Sequence, residues 1–301
     1  AEDGFDTVAW AAAQPWSNGE VGAYGVSYMA GTSWLAAVSQ PPALRAISPT
    51  TAPNDFWRDH LWRGGVLNWG LWVSWTLQAI APSALLRAKK GKPDLFPAFL
   101  QLVDDLDAFE QRVRHLPLNQ FPPARPDEAD FVPFFTEVMQ HPVADEWTQT
   151  LGVAGRHPQV QVPALIIAGW HDLLLANDLE HYTQMRSAAA TAPARQATRI
   201  VIGPWSHGMF LSTVGDLDFG LRANGLFLDL KEDLTALQLR WFGRWLKGEK
   251  NGVDQEAPVK LFVQGLNRWR DEQEWPLART RYTALYLRTG GALSLDAPAQ
   301  E

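Results

Sequence analysis

The chain's 301 residues, 46% hydrophobic and 20% charged, suffice for one large or two smaller globular domains with a sizeable core. A net charge of −7 argues against a general nucleic-acid or acidic-membrane surface, and the lack of cysteine excludes disulfides, thiolate metal sites and cysteine nucleophiles. No apolar run reaches the roughly 18 residues of a membrane span, and a cytoplasmic setting is the expectation.

In chain order, residues 3–14 read as an amphipathic helix, with Phe5, Val8, Ala9 and Ala12 on one face. "SNGEVGAYGVS" reads as a turn and a short strand. "YMAGTSWLAAVSQ" reads as a helix that must stop before Pro41 and Pro42. "ALRAISPTTAPND" gives a short strand and a loop. From about 55 to 151 tryptophan, leucine and proline dominate and β-branched residues thin out, which predicts an inserted helical region. Its Lys89, Lys90 and Lys92 form a small basic cluster that reads as a solvated loop. Strand character returns in "VPALIIAGW" and "TRIVIGPWSH", with a helix from about Leu175 to Ala190 between them. Residues 230–248 form an amphipathic helix with Leu234, Leu237, Trp241 and Trp245 on one side and Gly248 as its stop. "VKLFVQG" and "RYTALYLRT" then read as strands opening an all-β module. The alternation predicts an α/β fold with a mostly parallel sheet and a cap.

Three strand ends carry candidate chemistry. Ser27 lies between a strand and a helix, with Gly25 before it and Ala30 and Gly31 after it. Small neighbours are what a strained nucleophile elbow needs, although Met29 occupies the second glycine position of G-x-S-x-G. Asp172 follows "LIIAGWH" and His207 follows "IVIGPWS", which gives the order Ser, Asp, His. A serine hydroxyl is a weak nucleophile and needs a base in reach; imidazole is that base, and a carboxylate fixes its tautomer. Taken singly, each residue has a plainer reading: Ser27 as a turn serine, Asp172 as a helix cap, His207 as a loop histidine. Asp178 is a rival acid. The remaining histidines (His60, His115, His141, His157, His171 and His181) are scattered and read as surface or core. A metal site from His171, Asp172 and His181 lacks a tight ligand spacing. No metal and no cofactor is expected.

These stretches resemble the cocaine-esterase-like (CocE/NonD) family of α/β-hydrolases, related to X-prolyl dipeptidyl peptidases and α-amino-acid ester hydrolases. The family's G-x-S-Y-x-G stands here as Gly25-Val26-Ser27-Tyr28-Met29-Ala30, with Ala30 in place of the final glycine. Its acid stretch stands as Gly169-Trp170-His171-Asp172, and its G-P-W-S-H runs from Gly203 to His207. The resemblance runs along the whole chain and is weakest across 90–150. It implies an α/β-hydrolase fold with an inserted helical cap and the start of a C-terminal β jelly roll. The corresponding division is 1–54 as the nucleophile part of the core, 55–155 as cap, 156–255 as the acid and base part, and 256–301 as the beginning of the jelly roll. It implies Ser27 as nucleophile, His207 as base, Asp172 as orienting acid and the Tyr28 backbone N–H as one oxyanion donor. The family's second donor, a tyrosine hydroxyl from an early loop, is expected outside this chain, as are the family's first strands.

Amino-acid ester hydrolases of this family carry extra carboxylates just beyond the triad acid, which hold the substrate's ammonium. Here Leu173, Leu174 and Leu175 follow Asp172, so an uncharged acyl group is expected. Five tryptophans lie between Trp57 and Trp75, and Trp62, Trp69 and Trp72 are expected to share one side of a helix. They read as cap core or as an apolar pocket; Trp57, Trp170 and Trp205 are the candidate pocket residues. The expected partner is a small ester or amide, with nucleic acid and membrane excluded and homo-oligomerisation left open. The reading is a serine hydrolase acting on carboxylic esters through an acyl-enzyme. An X-prolyl dipeptidyl peptidase or acylase of the same mechanism remains open, as does a non-catalytic ligand-binding scaffold.

Overall fold

The computed structural model describes residues 2–88, 96–118, 121 and 133–298. The basic cluster of Lys89, Lys90 and Lys92 lies outside the described residues. Helix α1 spans Glu2–Ala12, strand β1 Val21–Val26, helix α2 Tyr28–Val38 and strand β2 Leu44–Thr50. Strand β3 (Leu165–His171), helix α3 (Leu175–Ala188), strand β4 (Arg199–Ser206) and helix α4 (Leu234–Lys247) follow the cap. Strands β5 (Val259–Val263) and β6 (Arg268–Glu272) complete one six-stranded sheet whose spatial order is its chain order. Neighbours from β1 to β5 pair in parallel, and β6 pairs antiparallel with β5.

Side-chain alternation explains the layers. Ile166, Ile200 and Ile202 point to the face covered by α2 and α3, where Trp34 and Tyr182 are buried. Leu165, Ile167 and Val201 point to the opposite face, which Leu237 and Trp241 of α4 cover. Both faces are therefore dry, and β3 and β4 read as near-continuous apolar runs. Helix α4 is bounded as its sequence dictates. The Asp233 side chain accepts from the Ala236 N–H at the start, and Gly248 closes it in the left-handed region at φ 69°.

The line expected between 255 and 256 falls ahead of β5, which hydrogen-bonds to β4 through Ile200↔Val259 and Ile202↔Leu261. The "VKLFVQG" strand thus continues the central sheet. Its hairpin partner is "RWRDE", and of "RYTALYLRT" only Tyr286–Leu287 is strand, paired with Leu293–Ser294.

The insertion is helical around its own core, with Trp72 stacked on Phe135 at 5.6 Å. One expectation is corrected: Trp62 does not share a helix with Trp69 and Trp72. Trp62–Arg63 and Val66–Leu67 form a small hairpin, because Gly64 and Gly65 both take positive φ (61° and 82°), as a tight hairpin turn requires. The helix begins only at Trp69. Ahead of the hairpin, Phe56–Leu61 is a single wide π-helical turn.

Candidate active site

Ser27, Asp172 and His207 are each the first residue beyond a strand, at the C-terminal ends of β1, β3 and β4. Parallel pairing puts all three strand ends on one edge, where α/β sheets bind their ligands. Ser27 sits at φ 59° and ψ −122°, an uncommon conformation for a residue with a side chain, and α2 starts directly after it. The turn is tight enough that a Cβ on Gly25 would lie 2.6 Å from the carbonyl carbon of Met29. Only glycine fits there, because the backbone and Cβ of Met29 close on it.

The three side chains form one hydrogen-bonded line. His207 Nε2 lies 2.8 Å from Ser27 Oγ. His207 Nδ1 lies 2.9 Å from Asp172 Oδ2 and 3.1 Å from Oδ1. A carboxylate only accepts, so Nδ1 carries the proton and Nε2 accepts from the serine hydroxyl. The Asp172 side chain is fully buried, and Oδ1 also accepts from the Leu174 N–H at 2.7 Å. His207 stays partly exposed. The Tyr28 N–H, at the open end of α2, donates to no group among the described residues.

Asp178 is not on the His207 ring. It is buried inside α3, its Oδ1 accepts from the Ala52 N–H at 2.9 Å, and burial beside Asp172 raises its pKa well above the carboxylate range. The expectation for Trp205 is corrected. Its ring is fully buried, packs on Phe210 and Trp269, donates to the Ala223 carbonyl at 2.6 Å, and occupies the space a side chain on Gly203 would need. It is core, not pocket. Trp170 donates to the Phe262 carbonyl and lines a groove with Trp275 and Leu277 that includes none of Ser27, Asp172 and His207. Trp57 is half-buried and donates to the His141 carbonyl at 2.7 Å, inside the cap.

His60, read from the sequence as surface or core, is core. It lies in the Phe56–Leu61 turn, buried, with its ring stacked on Phe56 at 4.7 Å. Burial, aided by the charges of His207 and Arg63, lowers its pKa to about 4, while Asp172 opposes the shift. Its surroundings come largely from its own turn and the helix that follows the hairpin, Phe56 and Trp75.

Residues 1–209 match the family model described as X-Pro dipeptidyl-peptidase (S15 family), and residues 251–301 match that of the X-Pro dipeptidyl-peptidase C-terminal non-catalytic domain. The chain is 32% identical over 293 residues to a cocaine esterase of Rhodococcus sp. (strain MB1 Bresler), an alignment covering 96% of this chain and 48% of that protein. The chain thus spans about half the length of the curated relatives it matches. A crystal structure of an aminopeptidase from a marine sediment archaeon (Thaumarchaeota archaeon) superposes with a TM-score of 0.68 at 22% identity, over 99% of this chain and 46% of the other. An α-amino acid ester hydrolase superposes with a TM-score of 0.60 at 22% identity, over 99% and 46%. These two share the fold. Among the described residues no helix is long and apolar enough to cross a membrane.

Proposed function

This chain belongs to the X-Pro dipeptidyl-peptidase (S15) family, and from that premise we propose that it carries the catalytic centre of a serine hydrolase that cleaves carboxylic esters through an acyl-enzyme. The observation that carries this reading is the unbroken contact from Ser27 Oγ through His207 to Asp172.

In the first step Ser27 Oγ attacks the ester carbonyl while His207 Nε2 takes its proton. Asp172 holds the resulting imidazolium and keeps the ring aligned. The carbonyl oxygen becomes an oxyanion, and the Tyr28 N–H is placed to donate to it. The tetrahedral intermediate collapses, His207 returns the proton to the leaving alkoxide, and an alcohol departs. Water then attacks the acyl-Ser27 ester, again through His207, releasing the carboxylic acid and restoring the serine. Esters are favoured over substrates with a free ammonium, since Leu173, Leu174 and Leu175 beyond Asp172 offer no side-chain carboxylate. The relative at 32% identity is an esterase by name.

The test is a set of substitutions at the two acids. Asp172→Asn should lower ester turnover by about 10⁴-fold, by removing the acceptor that fixes the His207 tautomer. Asp178→Asn, which keeps an oxygen for the Ala52 N–H, should leave turnover within a few-fold of the parent. Equal losses at both positions, or none at Asp172, would contradict the assignment.

A further inference from the structure

The groove that Trp170 lines is a second concave site, apart from the triad. It holds 440 Å³, on the face of the sheet that α2 and α3 cover, where that face continues over β5 and β6. Side chains alternate along β5, so Leu261 and Val263 share a face, and in the β5–β6 hairpin Arg270 stands directly opposite Leu261. Leu261, Val263 and Arg270 therefore belong to one floor. Trp170 and Trp275 join it with ring centroids 5.9 Å apart and planes tilted by 54°, and Leu277 completes the apolar lining. Leu261 is buried, whereas both indoles, Val263 and Leu277 are only half-buried, so a solute in the groove reaches them.

Two features fit the groove to a particular ligand chemistry. Its aromatic wall is fixed in place: Trp170 Nε1 donates to the Phe262 carbonyl at 2.7 Å, which satisfies the polar edge of the indole and leaves apolar ring surface to the groove. Its one charged lining residue is Arg270, and no carboxylate lines it. Arg270 Nε pairs with Glu272 at 2.5 Å, and Glu272 also accepts from Arg279 at 2.9 Å. The Nη1 and Nη2 groups of Arg270 have no partner among the described residues. The guanidinium is thus held on one side and keeps free N–H donors on the other, a fork that matches a carboxylate. The remaining polar side chains of the lining, Gln264 and His171, satisfy each other at 2.9 Å, which leaves Arg270 as the group that seeks a partner.

We propose that this groove is a binding site for small aromatic carboxylates. The ring of the ligand packs on Trp170 and Trp275 over Leu261 and Leu277, and its carboxylate takes the free donors of Arg270. The site is separate from Ser27, and the inference does not depend on the acyl-transfer reading.

The experiment is equilibrium dialysis of the intact protein against 2-naphthoate and, separately, 2-naphthamide, which has the same ring and no charge. Naphthoate should bind more tightly by about tenfold or more, the size of a charge-assisted hydrogen bond. Arg270→Gln should abolish that preference, and Arg270→Lys, which keeps the charge and loses the fork, should retain part of it. Trp275→Ala should weaken both ligands together. Binding of naphthoate that is absent, that only equals binding of naphthamide, or that keeps its preference in Arg270→Gln would overturn the assignment, as would binding undiminished in Trp275→Ala. Should Arg270→Gln fail to fold, a preference undiminished in both Arg270→Lys and Arg270→Met would do the same.

Discussion

Behind Ser27, His157 and His181 form a buried pair that supports the helix of the elbow. His181 stacks on Trp34 of α2 at 4.3 Å, and its Nε2 lies 3.2 Å from the Pro53 carbonyl. A carbonyl only accepts, so Nε2 carries the proton and Nδ1 of His181 is an acceptor. His157 Nε2, 2.9 Å away, must then donate, and both rings are neutral. Unfolded histidines take up a proton near pH 6.5. Burial lowers His157 to about 4, and burial with the neighbouring ring lowers His181 well below its ordinary value. Between pH 6.5 and 4 the unfolded chain thus binds more protons than the folded one. Stability is full above about pH 6.5 and falls as the pH drops through that window. His60 acts in the same direction. The thermal midpoint should fall on acidification, and fall less in His157→Gln, whose amide keeps the donor to His181; parallel curves would contradict the pairing. At this scale the sequence was uneven. Ser27, Asp172 and His207 were legible because each follows an apolar run and stands in a motif. His60, His157 and His181 were read only as surface or core; the pairing of His157 with His181 and of His181 with Pro53 was not legible, because those partners lie 24 and 128 residues apart in the chain.

Among the elements, the elbow shows how sequence sets geometry. Strand β1 must turn into α2 within one residue, and the buried Gly25 is where strand and helix touch. In Gly25→Ala the new methyl would meet the Met29 backbone and Cβ at 2.6 Å, with no flexible side-chain end to yield. Such overpacking costs about 1–3 kcal/mol, and here it also displaces Ser27. A lowered thermal midpoint together with slower turnover is expected; an unchanged protein would mean the turn is looser than described. Elements with an apolar signature were read well, from α2 to α4. Strand β6 was missed because "RWRDE" lies at the sheet edge, mostly exposed and charged, and has no apolar alternation to betray it. The Trp62 hairpin was missed for a different reason. Apolar spacing suggested one helix, but two consecutive glycines set the local backbone.

For the whole molecule, order along the chain became order across the sheet, so the parallel α/β architecture was legible from alternation alone. The continuation of the sheet into β5 and β6 was not, since a strand's partner is not written in its own residues. Strand β1 is an outer strand, with Tyr24 71% exposed on it and Trp16 71% exposed nearby. An open apolar edge invites pairing with another chain. Residues 1–301 produced by themselves should therefore self-associate in light-scattering chromatography, and Tyr24→Lys should shift them towards monomer; a monodisperse parent would contradict this. The central claim is that the fold brings residues 27, 172 and 207 together to make one serine reactive. The most direct measurement is mass-spectrometric peptide mapping of the intact protein after reaction with an alkyl fluorophosphonate. The account predicts a single adduct, on Ser27, absent from Ser27→Ala and strongly slowed in His207→Ala. No adduct on Ser27, or labelling that survives its replacement, would contradict it.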